Sequence, residues 1–317
     1  MLTILDPTSL LGREVIERLA RVSPGVRPHL FHTGAEPEHL IAEMAGEAAL
    51  VAPLADLDEL EGSAIVILTA PPATEATSER LLAWLRAHPR VALVDCTQPG
   101  IAGSAARCVV NAAPPVRPSP PWYHLPDPAL AAPTRLLAAL APLAPEAAHL
   151  TVLCPAAGFG ADALDELAAQ GAARLSGHPE GKAIHLPGIL AFDLSPAPVE
   201  RSRLLETQLA EIFPRLEATA NVIDAGVFHG HLATVLASCA NESTLERVRA
   251  LIRSAPGMRL PRRNEVTTVA GAVKQGGIVC GDLRVRGRSV SAWLCADGLR
   301  VGGAEAVVDL VGSLTAS

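Results

Sequence analysis

Short apolar runs alternate with amphipathic stretches through the first third of the chain. Residues 2–5 read as a strand, and residues 13–22 as a helix that places Leu11, Val15, Ile16, Leu19 and Ala20 on one face. Further strands are predicted at 29–32, 49–52, 91–95 and 108–111, and helices at 36–45 and 74–87. Residues 63–69, Ser-Ala-Ile-Val-Ile-Leu-Thr, form an unbroken apolar run, the pattern of a central parallel strand covered on both faces. Strand, turn and helix at the start, followed by regular alternation, predict a Rossmann-type α/β domain with a doubly wound parallel sheet.

Between 112 and 128 the pattern breaks. Pro114, Pro115, Pro118, Pro120, Pro121, Pro126 and Pro128 crowd this stretch, which predicts a stiff surface connection and a domain boundary. Beyond it, helices are expected at 129–143, 162–170, 199–213 and 243–254. Strands are expected at 149–153, 219–240 and 265–296, and residues 173–200 look rich in loops. This is the pattern of an α+β domain with a mixed or antiparallel sheet. The tail, 304–314, reads as a helix that returns to the first domain. The predicted division is therefore 1–126 with 299–317, and 127–298.

Composition narrows the class. A chain of 317 residues is long enough for two domains, which would bury about three quarters of the unfolded surface. Aromatic residues are scarce, at 3%, so the core has to be layered from Ala, Val and Leu. A net charge of −7 argues against nucleic acid or an anionic membrane as partner. No uncharged apolar run reaches membrane-spanning length, and the first residues lack the regions of a signal peptide. Six cysteines without a Cys-x-x-Cys pair suggest reduced, mostly buried thiols. A soluble, cytoplasmic protein is expected.

The stretch of greatest chemical interest is 224–231, Asp-Ala-Gly-Val-Phe-His-Gly-His. Read as a strand, it turns His229 and His231 to one side and Phe228 to the other. Two imidazoles on one face suit a general base, a pair of metal ligands, or half-buried polar residues. The sequence supplies no further ligands at metal-binding spacing, so no metal is expected. Arg284, Arg286 and Arg288 alternate along a predicted strand and would share one solvated face.

Several segments, in order, resemble the aspartate-semialdehyde dehydrogenase family. Residues 2–12 are similar to that family's first strand and glycine loop. Gly158-Phe159-Gly160 and the residues after it resemble its Gly-Ala-Gly loop and helix. Ala191-Phe192-Asp193 resembles its Ala-Phe-Asn segment, and Glu206-Thr207 the Glu-Thr of its next helix. Phe228-His229-Gly230-His231 looks like its catalytic-histidine strand, with His231 in the general-base place. Residues 296–302, Ala-Asp-Gly-Leu-Arg-Val-Gly, resemble its Ala-Asp-Asn-Leu-Arg-Lys-Gly. The resemblance implies a two-domain fold, a homodimer formed through the sheet of the second domain, a small-molecule ligand, and NADP or NAD as cofactor. Thr8, Gly12 and Gly302 are the positions it assigns to that cofactor.

The family's chemistry is a thiolate attack on an aldehyde, hydride transfer, and phosphate release of the thioester. Here its parts are missing one by one. Where the nucleophile is expected the chain reads Leu125-Pro126-Asp127-Pro128-Ala129, without Cys, Ser or Thr. The arginine that clamps the substrate carboxylate falls on Asp224. Two like charges about 4 Å apart at an effective dielectric near 20 repel by roughly 4 kcal/mol, so an anionic substrate is expected to be rejected. The phosphate-site arginine falls near Ile101, and the basic position before Glu206 on Ser202, between Arg201 and Arg203. Asp6 and Ser9 replace two of the three loop glycines, which weakens the case for a dinucleotide. Loss of this set resembles the Usg-like branch, whose members lack the catalytic cysteine. The rival expectation is a rearranged oxidoreductase in which Cys154 is a relocated thiol and His231 its base.

Overall fold

The computed structural model describes residues 1–34, 38–109, 118–178 and 181–316. Part of the predicted helix 36–45, the end of the predicted strand 108–111, and Pro114 and Pro115 lie outside the described residues. The chain forms two compact units, Met1–Pro126 with Gly302–Ser317, and Asp127–Val301.

The first unit is built on eight strands: β1 (Leu2–Leu5), β2 (His29–His32), β3 (Leu40–Met44), β4 (Glu47–Pro53), β5 (Ile65–Leu68), β6 (Ala92–Asp95), β7 (Arg107–Cys108) and β8 (Trp122–His124). They lie in the order β3-β4-β2-β1-β5-β6-β8-β7. Every pairing is parallel except β3 with β4. Helices α1 (Leu10–Val22) and α2 (Glu75–Ala87) are capped by Ser9 and Thr74, whose hydroxyls accept from Gly12 N and Thr77 N. The C-terminal helix, Glu305–Thr315, belongs to this unit. Trp84, Leu85, Phe31, Leu93 and Trp122 pack together in its core.

Two sequence expectations need correction here. Residues 40–44 are an edge strand rather than the end of a helix. Ala45 and Gly46 both have positive φ and form the two-residue loop of a hairpin in which Met44 pairs with Glu47. Helical spacing of Leu40, Ile41 and Met44 had concealed that turn. The proline-rich stretch is also more than a surface connection. Trp122, Tyr123 and His124 are buried and form β8 between β6 and β7. Burial of three large side chains outweighs the prolines on either side.

The second unit carries a mixed sheet of seven strands: β9 (Pro145–Cys154), β10 (Leu194–Pro196), β11 (Glu217–Ala225), β12 (His231–Cys239), β13 (Met258–Arg259), β14 (Ile278–Arg286) and β15 (Ser289–Ala296). Their order is β10-β11-β9-β12-β15-β14-β13. Helices α3 (Ala131–Ala139), α4 (Ala161–Ser176), α5 (Val199–Ile212), α6 (Leu245–Ser254) and α7 (Val269–Gln275) complete it. Strand β12 buries alternate residues, Ala233, Val235, Ala237 and Cys239, in a core that also takes Leu136 and Leu137 of α3, Leu205 and Leu209 of α5, and Val248 and Ile252 of α6. Val301 belongs to this core, which places residues 299–301 in the second unit.

Helix α4 runs on to Gly177, whose left-handed conformation ends it, so less of 173–200 is loop than expected. Helix α7 interrupts a region expected to be all strand, with Thr268 as its N-cap. Arg284 and Arg286 lie on β14, but Arg288 sits beyond it, where its Nε donates to the carbonyl of Cys239. The three arginines therefore do not form one stripe.

Candidate functional site

Three central strands of the second sheet carry the candidate residues in one row. Asp224 of β11 is the register partner of Cys154 at the end of β9. On the other side of β9, Leu153 pairs with Leu232, and one further step along the ladder sets His231 beside Cys154. Lateral neighbours in a sheet point to the same face, so Asp224, Cys154 and His231 project into one layer. Their exposures are 1%, 0% and 6%.

Helix α5 and the turn before α3 close this layer. On α5, Arg201, Leu205 and Gln208 recur at helical spacing and face the sheet. The Arg201 Nη1 donates to Asp224 Oδ1 at 2.7 Å, and its guanidinium lies over the Phe159 ring, 5.2 Å from the centroid. Gln208 Oε1 accepts from the backbone N–H of Asp127 at 2.9 Å. The Asp127 carboxylate caps the short turn Pro128–Leu130 by accepting from Ala129 N. The neighbouring Glu206 points elsewhere and accepts from Ala220 N, a structural contact with β11.

Burial governs the charge states. It lowers the His231 imidazole from 6.5 to about 4, with the Asp127 charge opposing and the Arg201 charge assisting. Burial also raises the Cys154 thiol to about 12; Arg201 pulls it down, and Asp127 and Asp224 push it up. The Asp224 carboxyl is likewise raised by burial, against the pull of Arg201. Burial works against the Arg201 charge, but Cys154, Asp127 and Asp224 together raise its pKa. Two buried atoms in the layer, Asp224 Oδ2 and His231 Nδ1, have no hydrogen-bond partner.

The link between β11 and β12 corrects the reading of 224–231 as one strand. Gly226 starts it, where a β-carbon would stand 1.9 Å from the Leu190 carbonyl oxygen, and Gly230 ends it with φ +85°. Ala156 N and Ala157 N donate to the carbonyls of Val227 and Phe228 and hold the link against the segment after β9. His229 is exposed in this link, while His231 begins β12 and is buried, so the two imidazoles do not share a face. Among the described residues no group of three or more His, Cys, Asp or Glu side chains is placed to hold a metal ion.

The residues assigned to a cofactor lie in the first unit. Gly12 packs against Pro7, and a β-carbon there would come within 2.7 Å of the Pro7 backbone. The Thr8 carbonyl accepts from Arg13 Nε. Gly302 lies in a π-helical stretch, Leu299–Ala304, and its neighbour Gly303 sits on Leu11 of α1. Asp6 keeps a left-handed backbone, φ +56°, where the resembling loop has glycine. Its carboxylate does not cap α1; it accepts from both the N–H and the hydroxyl of Thr33, each at 2.8 Å. A pyrophosphate at the start of α1 would find Gly12 N already bonded to Ser9 Oγ, in a loop that carries the Asp6 carboxylate where the resembling loop has glycine, so these residues fit a dinucleotide poorly.

No profile of a known protein family matches the chain. An alignment 169 positions long, covering 48% of the chain, is 26% identical to aspartate-semialdehyde dehydrogenase of Aquifex aeolicus and spans half the length of that protein. The crystal structure of aspartate semialdehyde dehydrogenase II from Vibrio cholerae superposes with a TM-score of 0.86 at 20% identity, covering 100% of this chain and 98% of that one. Aspartate semialdehyde dehydrogenase with NADP from Candida albicans gives 0.71 at 13% identity, covering 99% and 98%. The chain has the aspartate-semialdehyde dehydrogenase fold.

Within that fold, sequence reasoning located His231 and Cys154 but missed Arg201 and Asp127 as members of the same layer. Asp224 is therefore not the unopposed anion that the sequence suggests, and the same guanidinium acts on Cys154. A signal was available. Arg201 stands four and seven residues before Leu205 and Gln208, on the apolar side of α5, where an arginine needs a buried partner.

Proposed function

We propose that the chain is a Usg-like homologue of the aspartate-semialdehyde dehydrogenases that keeps the scaffold and the imidazole but does not carry out the parent reaction. The surroundings of Gly298 support this above all. A β-carbon on Gly298 would stand 2.6 Å from His231 Nδ1 and 2.5 Å from the carbonyl oxygen of Pro128. The turn Asp127-Pro128-Ala129 therefore lies near the imidazole, and it has no thiol or hydroxyl to activate. With its imidazole lowered to about 4, His231 is neutral near pH 7 and could accept a proton, but the turn offers none.

The scaffold role is that of a cytoplasmic homodimer formed through the second sheet. The face opposite the buried layer leaves Leu236 and Trp293 exposed, side chains that a second copy would cover. Among the described residues no helix is long and apolar enough to cross a membrane. NADP and NAD are expected to bind weakly or not at all, given the Asp6 and Ser9 loop. Incubation with aspartate semialdehyde, phosphate and NADP, followed by NADPH absorbance, tests the reading. Turnover at an ordinary enzymatic rate overturns it.

A second reading keeps the oxidoreductase and moves its thiol to Cys154, with His231 as base. The lateral adjacency of the two residues favours it. Against it stands the burial that pushes the thiol up to about 12, where a neutral imidazole takes almost no proton from it. Reductase or dehydrogenase activity lost on Cys154→Ala would favour this second reading over the first.

A further inference from the structure

We propose that Asp224 sets the charge preference of the site, occupying Arg201 from within the chain so that small carboxylates and phosphates are shut out and a neutral or cationic ligand is favoured. Arg201 is the cation of the buried layer that could receive such an anion, and 21% of its side chain remains exposed. Its Nη1 is already bonded to Asp224 Oδ1 at 2.7 Å, in the geometry a ligand carboxylate would use. Asp127 adds a second negative charge acting on the same guanidinium. The layer is therefore neutral or acidic before any ligand arrives.

A second observation points to a ligand rather than to a purely structural pair. Asp224 is 99% buried by its 1% exposure, yet its Oδ2 has no partner, and an unmade bond to a buried carboxylate oxygen is costly. Oδ2 can only accept. A ligand that brings an N–H or O–H donor satisfies it; a carboxylate or phosphate faces repulsion from it and competes with Oδ1 for Arg201. Arg201 also lies over the Phe159 ring, a contact that it would give up on turning away from Asp224 toward an added anion.

The role of Asp224 rests on the homologue reading only for where ligands enter, and anion binding is measured apart from turnover, so the two can fail separately. The experiment is calorimetric titration of the full chain with malonate and with inorganic phosphate at low ionic strength, for wild type, Asp224→Asn, and Arg201→Gln combined with Asp224→Asn. Wild type should bind neither anion measurably. D224N should bind at least one of them roughly tenfold or more tighter, because Arg201 is then left without its bonded carboxylate. The double variant should lose that gain. Circular dichroism checks that each variant is folded, and Asp224→Ser stands in if D224N is not. A folded D224N or D224S with wild-type anion binding overturns the proposal. So does a gain that survives in the double variant, or wild-type binding as tight as that of D224N.

Discussion

Cys154 and Asp224 are register partners on neighbouring parallel strands, so a thiol and a carboxylate share one buried layer. The carboxylate adds to the effect of burial in holding the thiol protonated, and Arg201 only partly offsets them. Iodoacetamide should therefore label Cys154 slowly, with the other buried thiols and no faster than they are, and Cys108, which is partly exposed, first. Mass spectrometry of timed digests reads the order. Early labelling of Cys154 would revive a nucleophilic role for it.

Removing one member of the Arg201–Asp224 pair should be worse than removing both. Arg201→Met leaves a carboxylate buried and unpaired, and should cost about 3 kcal/mol at neutral pH. Adding Asp224→Asn to that variant should recover half or more of the loss. Denaturant unfolding of the single and double variants measures both. A double variant as unstable as R201M would mean that shape, not charge, holds the layer.

His231 makes stability depend on pH. Its pKa is about 4 in the fold against 6.5 when unperturbed, so the unfolded chain binds the proton more readily. The contribution of the neutral ring is complete above pH 6.5 and is lost as pH falls toward 4, by about 1.4 kcal/mol per pH unit inside that window. Asp224, whose pKa is raised, acts in the opposite sense at the acidic end. The difference in melting temperature between wild type and His231→Asn should therefore hold above pH 6.5 and shrink as the pH falls from 6.5 to 4. A constant difference would show that the ring is hydrated.

Gly226 admits no side chain. An added β-carbon would have to displace the backbone oxygen of Leu190, and the link leading to His231 would shift with it. Gly226→Ala should destabilise the second unit by about 3 kcal/mol, the upper range for overpacking. Hydrogen exchange should show faster opening at the start of β12 than in the middle of β9.

Much of this architecture is legible in the sequence because it rests on periodicity. The unbroken apolar run at 63–69 and the amphipathic face of α1 are local patterns, and the structure carries both, as β5 and α1. β3 and β8 were not legible for opposite reasons. The first depends on two left-handed residues that need not be glycine, and the second on burial of Trp122 and Tyr123, which proline spacing obscures. The site divides the same way. His231 and Cys154 stand out as residue types, whereas the partnership of Arg201 with Asp224 joins residues 23 positions apart and exists only once α5 has packed on the sheet. Asp127 likewise joins the layer through Gln208, a contact 81 positions distant.

The pair of hydrogen bonds from Thr33 to Asp6 joins the end of β1 to the end of β2. Loops of this kind in nucleotide-dependent enzymes often gain order when the nucleotide arrives, and the protein then melts higher in its presence. Here Asp6 and Thr33 supply both halves of the contact from within the chain. On the reading proposed above, a loop closed in this way keeps its shape with or without a dinucleotide, so added NADP should leave the melting temperature unchanged.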